Sequence, residues 1–305
     1  MTAILKAGMV GLDTSHCQAF LEVLHDAASP YHVPGVRVTG VYPGGSAQFS
    51  LSRERVQNFS REIASRYQIP SYESIPDLAK DVDVLFLTSV DGRQHPEQFE
   101  QMAVGKPVFI DKPFAVSTAE AAAMLQRAAA TATPLMSCSA LRFATGIHEM
   151  AQARQELLAC EVYGPTPVLP DYPGYFWYGI HSAEILFLLM GGGCQSMRTL
   201  TTEQVDVISG VWQDGRSGLV LGTRFEGYEF GCLAHSRSGA RLGIAGSTPP
   251  YYANLLNEVV RFFRTGQSPV DVRETYQIIA FLAAADHSKA EEGRPISPAA
   301  LPAWM

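Results

Sequence analysis

The fold is set by one stretch of sequence, VDVLFLTSVDGRQHPEQFEQMAVGKPVFIDKPF, which spans residues 82–114. Its first part, Val82–Ser89, is an apolar run typical of a strand that is buried on both faces. Pro96–Val104 follows as a helix with proline in its first turn, and Pro107–Asp111 is a second apolar strand. This order of strand, helix and strand indicates one βαβ unit of a parallel sheet.

The same alternation extends on both sides of this unit. The additional predicted strands are Leu5–Gly11, Val36–Tyr42 and Leu135–Leu141, and the additional helices include Ser52–Tyr67 and Ser117–Ala130. Helical apolar spacing after the first strand predicts one more helix. Residues 1–142 are therefore expected to form a doubly wound α/β domain, which binds ligands at the carboxyl ends of its strands.

Residues 143–305 have a different pattern. We expect a helix near Gly146–Leu158, a linker or substrate-facing loop over Cys160–Tyr178, and a helix over Gly179–Met190. The segments with period-2 alternation are Met197–Thr202, Val205–Trp212, Gly218–Phe225, Tyr228–Ala234 and Arg241–Ala245, with turns at Asp214-Gly215 and Glu226-Gly227. Helices near Tyr252–Thr265 and Val272–Lys289 complete a second, α+β domain with an open, mostly antiparallel sheet.

Composition narrows the classes of function. The chain has 305 residues, 47% of them hydrophobic, and a formal net charge of −7, which argues against a nucleic-acid partner because phosphate binding needs a basic surface. No apolar run approaches the ~18 residues of a membrane span. The five cysteines form no Cys-x-x-Cys pair, so we expect reduced thiols in a cytoplasmic protein.

Two side chains stand out chemically. Lys112 follows a parallel strand directly, where its ammonium can orient a substrate hydroxyl. His181 and Glu184 lie three residues apart on one helix face, and a histidine beside a carboxylate is suited to proton transfer near neutral pH. A strand-end ion pair and a buried core histidine are the alternatives. We expect both side chains to face one small molecule in a cleft between the domains.

The pattern resembles the Gfo/Idh/MocA family of glucose–fructose oxidoreductases and inositol dehydrogenases. Asp111-Lys112-Pro113 is similar to that family's Glu-Lys-Pro signature, and Gly179-x-His181-x-x-Glu184 to its Gly-x-His-x-x-Asp helix. Weaker similarities, in the family's order, are at residues 69–72, 82–84, 95–96, 105–108, 142–143 and 293–296. The resemblance implies a Rossmann domain, NAD or NADP as cofactor, and hydride transfer from a sugar, inositol or related polyol. It also implies Lys112 and His181 as catalytic residues and a homo-oligomer formed through the C-terminal sheet.

The resemblance implies cofactor contacts from two regions and from Lys112. These contacts are assigned to Gly11, Asp13, Thr14, Ser15, His16, Thr88, Ser89, His95 and Lys112. The family's Gly-x-Gly-x-x-Gly turn reads Gly-Leu-Asp-Thr-Ser-His here. We expect Asp13 to cap the following helix and to disfavour the usual pyrophosphate contact, because it brings a side chain and a charge where the second glycine stands.

The end of the second predicted strand lacks the acidic residue that holds the ribose of NAD. Ser52, Arg53 and Arg55 follow a short way on, which favours NADP slightly if a dinucleotide binds. The alternative for the two arginines is a solvated helix face.

For the substrate, the resemblance and the local polarity single out Arg142, Asp171, Tyr175, Trp177, Tyr178 and Glu184. Trp177 stands where the family usually has an Asp, and it offers a stacking surface to a sugar ring. We expect no metal, because Asp13-x-x-His16 is only a two-residue hint.

Three functions remain open at this stage. The first is an NAD(P)-linked oxidoreductase, and the second is a lyase, epimerase or dehydratase that uses the same lysine and histidine on a keto-sugar. The third is a sugar-binding protein without catalysis.

Overall fold

The structure is a computed structural model that describes residues 3–224, 227 and 229–305. Its strands are β1 (Leu5–Val10), β2 (Val36–Tyr42), β3 (Val84–Leu87), β4 (Val108–Ile110), β5 (Leu135–Ser137), β6 (Leu157–Pro165), β7 (Cys194–Thr201), β8 (Val205–Trp212), β9 (Ser217–Thr223), β10 (Gly231–Ser236) and β11 (Gly239–Ile244). Its α-helices are α1 (Ser15–His25), α2 (Ser50–Tyr67), α3 (Ile75–Asp81), α4 (His95–Met102), α5 (Thr118–Ala130), α6 (Gly179–Met190), α7 (Tyr251–Thr265) and α8 (Val272–Ala290). Short 3-10 helices lie at Gly92–Gln94, Ala140–Phe143, His148–Glu156 and Gly174–Phe176.

The chain divides into two compact units. The first consists of Met1–Ala115, Ala119–Cys138 and Tyr252–Val272, and the second of Val116–Thr118, Ser139–Tyr251 and Arg273–Met305. The sequence pattern placed everything after residue 142 in the second domain, whereas almost all of α7 belongs to the first unit. Phe263 of α7 lies edge-on to Phe86 of β3, with ring centroids 5.0 Å apart. The apolar face of a helix can be recognised in the sequence, but the surface that it covers cannot.

The sheet of the first unit is parallel, with strand order β2-β1-β3-β4-β5. Every side chain of β3 and β4 is buried, as expected for strands covered on both faces. This confirms the predicted Rossmann-type fold. Because the strands are parallel, the residues that follow β1, β3 and β4 meet at one edge of the sheet.

The sheet of the second unit has the order β11-β10-β6-β9-β8-β7. Neighbouring strands in this sheet run antiparallel, except for β6 and β9, which run parallel. This confirms the predicted open, mostly antiparallel sheet. Helix α6 lies close against one face, since a Cβ added to Gly218 of β9 would stand 3.0 Å from a methyl carbon of Leu186.

Some local predictions were wrong. The stretch Cys160–Tyr178 was expected to be a loop, but its first part belongs to β6, an interior strand whose side chains alternate in burial. The helix expected near Gly146–Leu158 is a 3-10 helix that ends where β6 begins. Helix α3 was not predicted, although Ser74 caps it and a proline stands in its first turn. The turn at Asp214-Gly215 is confirmed, whereas Glu226 of the other predicted turn lies outside the described residues.

Within the described part of the chain, no helix combines the length and the apolar character that a membrane span requires.

Candidate active site

A buried network of carboxylates and hydroxyls surrounds Asp13, and we call it the Asp13 network. Asp13 Oδ1 accepts a hydrogen bond from the Val90 N–H at 2.9 Å, and Asp13 Oδ2 accepts one from Ser52 Oγ at 2.6 Å. Ser52 Oγ accepts from the Ser46 N–H, and Ser46 Oγ donates to Asp91 at 2.5 Å. Burial raises the pKa of Asp13, although these hydrogen bonds act to lower it. The network ties the turn after β1 to the loops after β2 and β3.

The N-terminus of α1 shows one correction. Asp13 does not cap the helix, because its carboxylate is engaged by Val90 and Ser52. Thr14 is the cap instead, and its Oγ1 accepts the His16 N–H at 3.3 Å. Ser15 is the first helical residue and is exposed.

The turn after β1 departs from an open phosphate-binding turn, because the loop after β2 engages part of its backbone. The Gly11 N–H donates to the Tyr42 carbonyl at 2.9 Å, and the Leu12 N–H donates to the Pro43 carbonyl at 2.8 Å. Gly44 lies against the same turn, since a Cβ added to it would stand 3.5 Å from Gly11 Cα. The N–H groups of Gly11 and Leu12 are thus already paired with the loop after β2.

The three predicted cofactor residues that follow β3 are buried. Thr88 Oγ1 donates to the Gly11 carbonyl at 2.7 Å. The two ring nitrogens of His95 face the carbonyl oxygens of Ser89, at 2.9 Å, and of Phe114, at 3.2 Å. His95 therefore links the ends of β3 and β4. Within the described chain, the hydroxyl of Ser89 and Oε1 of Gln98 are buried without a hydrogen-bond partner.

A histidine, an aspartate and a lysine gather where β1 and β4 end. His16 Nδ1 lies 2.5 Å from Asp111 Oδ2. Burial alone would raise the pKa of Asp111, but the charge and hydrogen bond of His16, with help from Lys112, hold it below its ordinary value. The pKa of Lys112 is lowered because burial disfavours its charge, although Asp111 opposes this effect. Lys112, which the sequence predicted to be functional, thus lies next to the His16–Asp111 pair.

In the second unit, His181 lies in the first turn of α6 and is 9% exposed. Its Nδ1 is 2.7 Å from Ser139 Oγ, which belongs to the loop after β5. The rings of Tyr178 and Phe230 stand edge-on to the imidazole at 5.4 Å each. The carboxylate of the predicted partner Glu184 is bonded to Arg142, and the hydroxyl of Ser139 orients the ring instead.

Glu184 forms a buried ion cluster with Arg142 and Glu274. Arg142 donates to Glu184 Oε2 at 2.7 Å, and its other terminal nitrogen donates to Glu274. Burial raises the pKa of Glu184 to about 7, although the neighbouring Arg142 lowers it. Two of the predicted substrate residues are thus held by each other.

The remaining predicted substrate residues lie on the segment before α6. Asp171 and Trp177 are half-buried, and Trp177 packs between Tyr172, at 5.6 Å, and Tyr178, at 5.5 Å. Tyr175 is buried, its N–H points at Asp286, and the ammonium of Lys289 lies over its ring. The ring of Tyr178 lies against that of His181, a predicted catalytic residue.

The sequence did not single out Ser139, Glu274, or Ser46 and Asp91 of the Asp13 network. Asp91 and Ser139 cap the 3-10 helices Gly92–Gln94 and Ala140–Phe143, so the signal that could have found them is a capping side chain before a short helix. Among the described residues, no group of three or more His, Cys, Asp and Glu side chains could hold a metal ion.

This architecture is found in known proteins. The Gfo/Idh/MocA family model, described as an oxidoreductase family with an NAD-binding Rossmann fold, matches residues 5–137. No curated protein matches the chain.

Solved structures share the fold along nearly the whole chain. One is myo-inositol dehydrogenase from Lactobacillus casei in complex with NAD(H) and myo-inositol, with 15% identity, 99% of each chain covered and a TM-score of 0.77. Another is myo-inositol 2-dehydrogenase from Lactobacillus plantarum, with 14% identity, 97% of this chain and 100% of that chain covered, and a TM-score of 0.76. An oxidoreductase from Agrobacterium radiobacter in complex with NAD+, L-tartaric acid and magnesium has 15% identity, 96% and 98% coverage, and a TM-score of 0.74. Residues 5–137, which carry the Rossmann fold of the first unit, are thus similar to the Gfo/Idh/MocA oxidoreductase family.

Proposed function

We propose that this protein is an oxidoreductase that acts on a CH–OH group of a small polyhydroxylated molecule, such as an inositol or a sugar, with NAD or NADP as its partner. The observation that carries the proposal is the family match over residues 5–137, combined with a buried lysine at the carboxyl end of β4. The solved inositol dehydrogenases with the same fold indicate the substrate class. A cytoplasmic homo-oligomer stays a prediction.

Lys112 and His181 are the proposed catalytic residues. A lysine whose pKa burial has lowered can donate a hydrogen bond to a substrate oxygen and release a proton more readily than an exposed lysine. His181 is held by Ser139 at one ring nitrogen, which fixes the orientation in which the ring can bind a substrate hydroxyl.

We infer that the dinucleotide is held differently from the usual mode, because Tyr42 and Pro43 engage the N–H groups of the turn after β1 and the Asp13 carboxylate is bound by Val90 and Ser52. The expected slight preference for NADP also loses one of the residues on which it was based. Ser52, one of the polar residues near a 2′-phosphate site, donates to Asp13 within the network. The unpartnered oxygens of Ser89 and Gln98 are instead suited to accept hydrogen bonds from hydroxyl groups.

Binding and turnover test this proposal together. We would titrate NAD and NADP by calorimetry up to about 1 mM, near the upper range of common KM values, and assay oxidation of myo-inositol, scyllo-inositol and glucose. Lys112→Met and His181→Ala should each lower kcat by about 100-fold or more. The control Lys80→Met, an exposed lysine paired with Asp77, should leave it unchanged. Absence of binding by both nucleotides would contradict the proposal.

A second function is favoured by one observation, the engagement of the phosphate turn by the protein's own groups. Proton abstraction beside a carbonyl, as in an epimerase or dehydratase, needs an acid and a base but no dinucleotide. The assay is proton exchange at the α-carbons of 2-keto-myo-inositol and fructose in deuterated water without added nucleotide. Exchange that persists without nucleotide and is lost in Lys112→Met would favour this function over the first.

A further inference from the structure

His16 and Asp111 form a pair that the resemblance to the family does not explain. His16 stands at the last position of the stretch Gly11–His16, where the family's turn has a small residue, and its partner is 95 positions away. The 2.5 Å separation of Nδ1 and Oδ2 is short for a nitrogen–oxygen contact, as expected when the donor or the acceptor is charged.

Both members of the pair are held in place by the fold. The His16 N–H is bonded to the cap Thr14, and the ring lies 5.1 Å from the ring of Tyr252 and 6.2 Å from that of Phe20. The Asp111 N–H donates to the Leu87 carbonyl at 2.8 Å, so the carboxylate is fixed at the end of β4. The pair is therefore oriented before any ligand arrives.

The chemistry of the two ring nitrogens follows from this contact. A carboxylate accepts hydrogen bonds, so Nδ1 carries the proton and Nε2 carries the lone pair. Within the described chain, Nε2 makes no hydrogen bond of its own, and 13% of the His16 side chain is exposed. A carboxylate that holds an imidazole in this tautomer also stabilises the imidazolium formed when Nε2 takes a proton.

The position of the pair relates it to a ligand. It lies at the carboxyl edge of the parallel sheet, which is where such sheets bind small molecules. Lys112 follows Asp111 directly, and its charge acts on that carboxylate. A base and an ammonium thus occupy the same edge of one unit.

We propose that His16, rather than His181, is the catalytic general base, that Asp111 is its positioning residue, and that the pair removes a proton from a hydroxyl group of a polyhydroxylated substrate whose oxygen is bound by Lys112. In this step Nε2 forms a bond to hydrogen and the O–H bond breaks. The electron pair stays on the substrate oxygen as an alkoxide beside the Lys112 ammonium, and Asp111 stabilises the imidazolium. The inference rests on the proposed function for its substrate class.

Two measurements on the intact protein test the roles of His16 and Asp111 without requiring that the proposed function be correct. Nitrogen NMR of the histidine rings reports the tautomer, and we expect His16 to carry its proton on Nδ1 in the parent and to lose this preference in Asp111→Asn. Diethyl pyrocarbonate, which acylates the free ring nitrogen, should modify His16 faster in the parent than in Asp111→Asn. A proton on Nε2, or a ring that resists acylation, would overturn the proposal whether or not a substrate has been found.

Turnover of the polyol or keto-sugar probes named above gives the third readout. His16→Gln and Asp111→Asn should lower kcat by about 100-fold with little change in KM, because general-base catalysis contributes about 10²–10⁴-fold. The matched control is His287→Gln, which removes an exposed histidine–carboxylate pair with Glu291 and should have no effect. If His16→Gln keeps the parent kcat, His16 is not the base. If the parent turns over none of the probes, the proposed function fails for these substrates, and the tautomer and acylation results still decide the role of His16.

Discussion

At the residue scale, the buried cluster of Arg142, Glu184 and Glu274 is expected to contribute strongly to stability. Arg142→Met keeps most of the side-chain volume but leaves two carboxylates without their cation. We expect a loss of about 3–5 kcal/mol in the free energy of unfolding, the range for breaking a buried ion pair from one side. Urea unfolding measures it. The control Arg127→Met removes an exposed pair with Glu100 and should cost less than about 1 kcal/mol.

The same cluster makes stability depend on pH. Burial raises the pKa of Glu184 to about 7 from 4.5, so the folded chain keeps a proton that the unfolded chain has already released. This contribution to stability is complete below the unfolded pKa and is lost as the pH rises through the folded pKa. In Glu184→Gln that loss is absent. Relative to the parent, the variant should therefore gain up to about 1.4 kcal/mol per pH unit between about pH 5 and pH 7.

Urea titrations of both proteins across this pH range give the difference directly. The exposed Glu156 supplies the control, because Glu156→Gln should run parallel to the parent. A constant difference between Glu184→Gln and the parent would show that Glu184 is ionised throughout.

Residue types could be predicted from the sequence more readily than their partners. Lys112 and His181 were chosen for their chemistry and their place on an element. Both are buried, and Ser139 orients the ring of His181. Their catalytic roles stay predictions. Ser139 and Asp111 are the partners of His181 and His16, and each is separated from its histidine by many residues. Periodicity carries no information about such distant contacts.

At the element scale, the start of α1 is controlled by Thr14, whose hydroxyl accepts the His16 N–H. Thr14→Ala should destabilise the protein by about 1 kcal/mol, the usual value of an N-cap side chain, and Thr14→Ser should restore most of it. Because the cap also orients His16, Thr14→Ala should raise the hydrogen-exchange rate of the amides in the first turn of α1. Unchanged stability in Thr14→Ala would mean that the cap hydrogen bond contributes nothing net.

Elements with a simple pattern were predicted well, and those without one were not. The bounds of α6 and β8 agree with the apolar runs that predicted them. Strand β6 was missed because its neighbourhood is rich in prolines and tyrosines, which indicate loops in sequence analysis. In the structure, β6 is flanked by β10 and β9. Its ladder hydrogen bonds outweigh the local preference of the sequence.

At the scale of the whole molecule, chain order and compact units do not coincide. The predicted boundary at residue 142 is close to the point where the second unit resumes, at Ser139. The return of Tyr252–Val272 to the first unit could not be predicted, because α7 has the same amphipathic pattern whichever core it covers. Only its tertiary contacts show that α7 belongs to the first unit.

This division predicts how pieces of the chain behave. Helix α7 buries apolar side chains at Leu255, Leu256, Val259, Phe262 and Phe263. Each fully buried apolar side chain of this size contributes about 1.5–3 kcal/mol, which is a large share of a typical domain's stability of about 5–15 kcal/mol. A fragment of residues 1–142 should therefore lack cooperative unfolding in urea. Residues 1–138 joined to 252–272 by a flexible glycine–serine linker should unfold cooperatively.

The same joined fragment with Phe263→Ala provides the control, because it removes the ring that packs against Phe86 and should lose about 3–5 kcal/mol. Circular dichroism in the near ultraviolet follows the packing of these aromatic rings in each fragment. If residues 1–142 alone unfold with the same midpoint as the joined fragment, α7 does not stabilise the first unit. The unit would then end, as the alternation of strands and helices predicts, near residue 142.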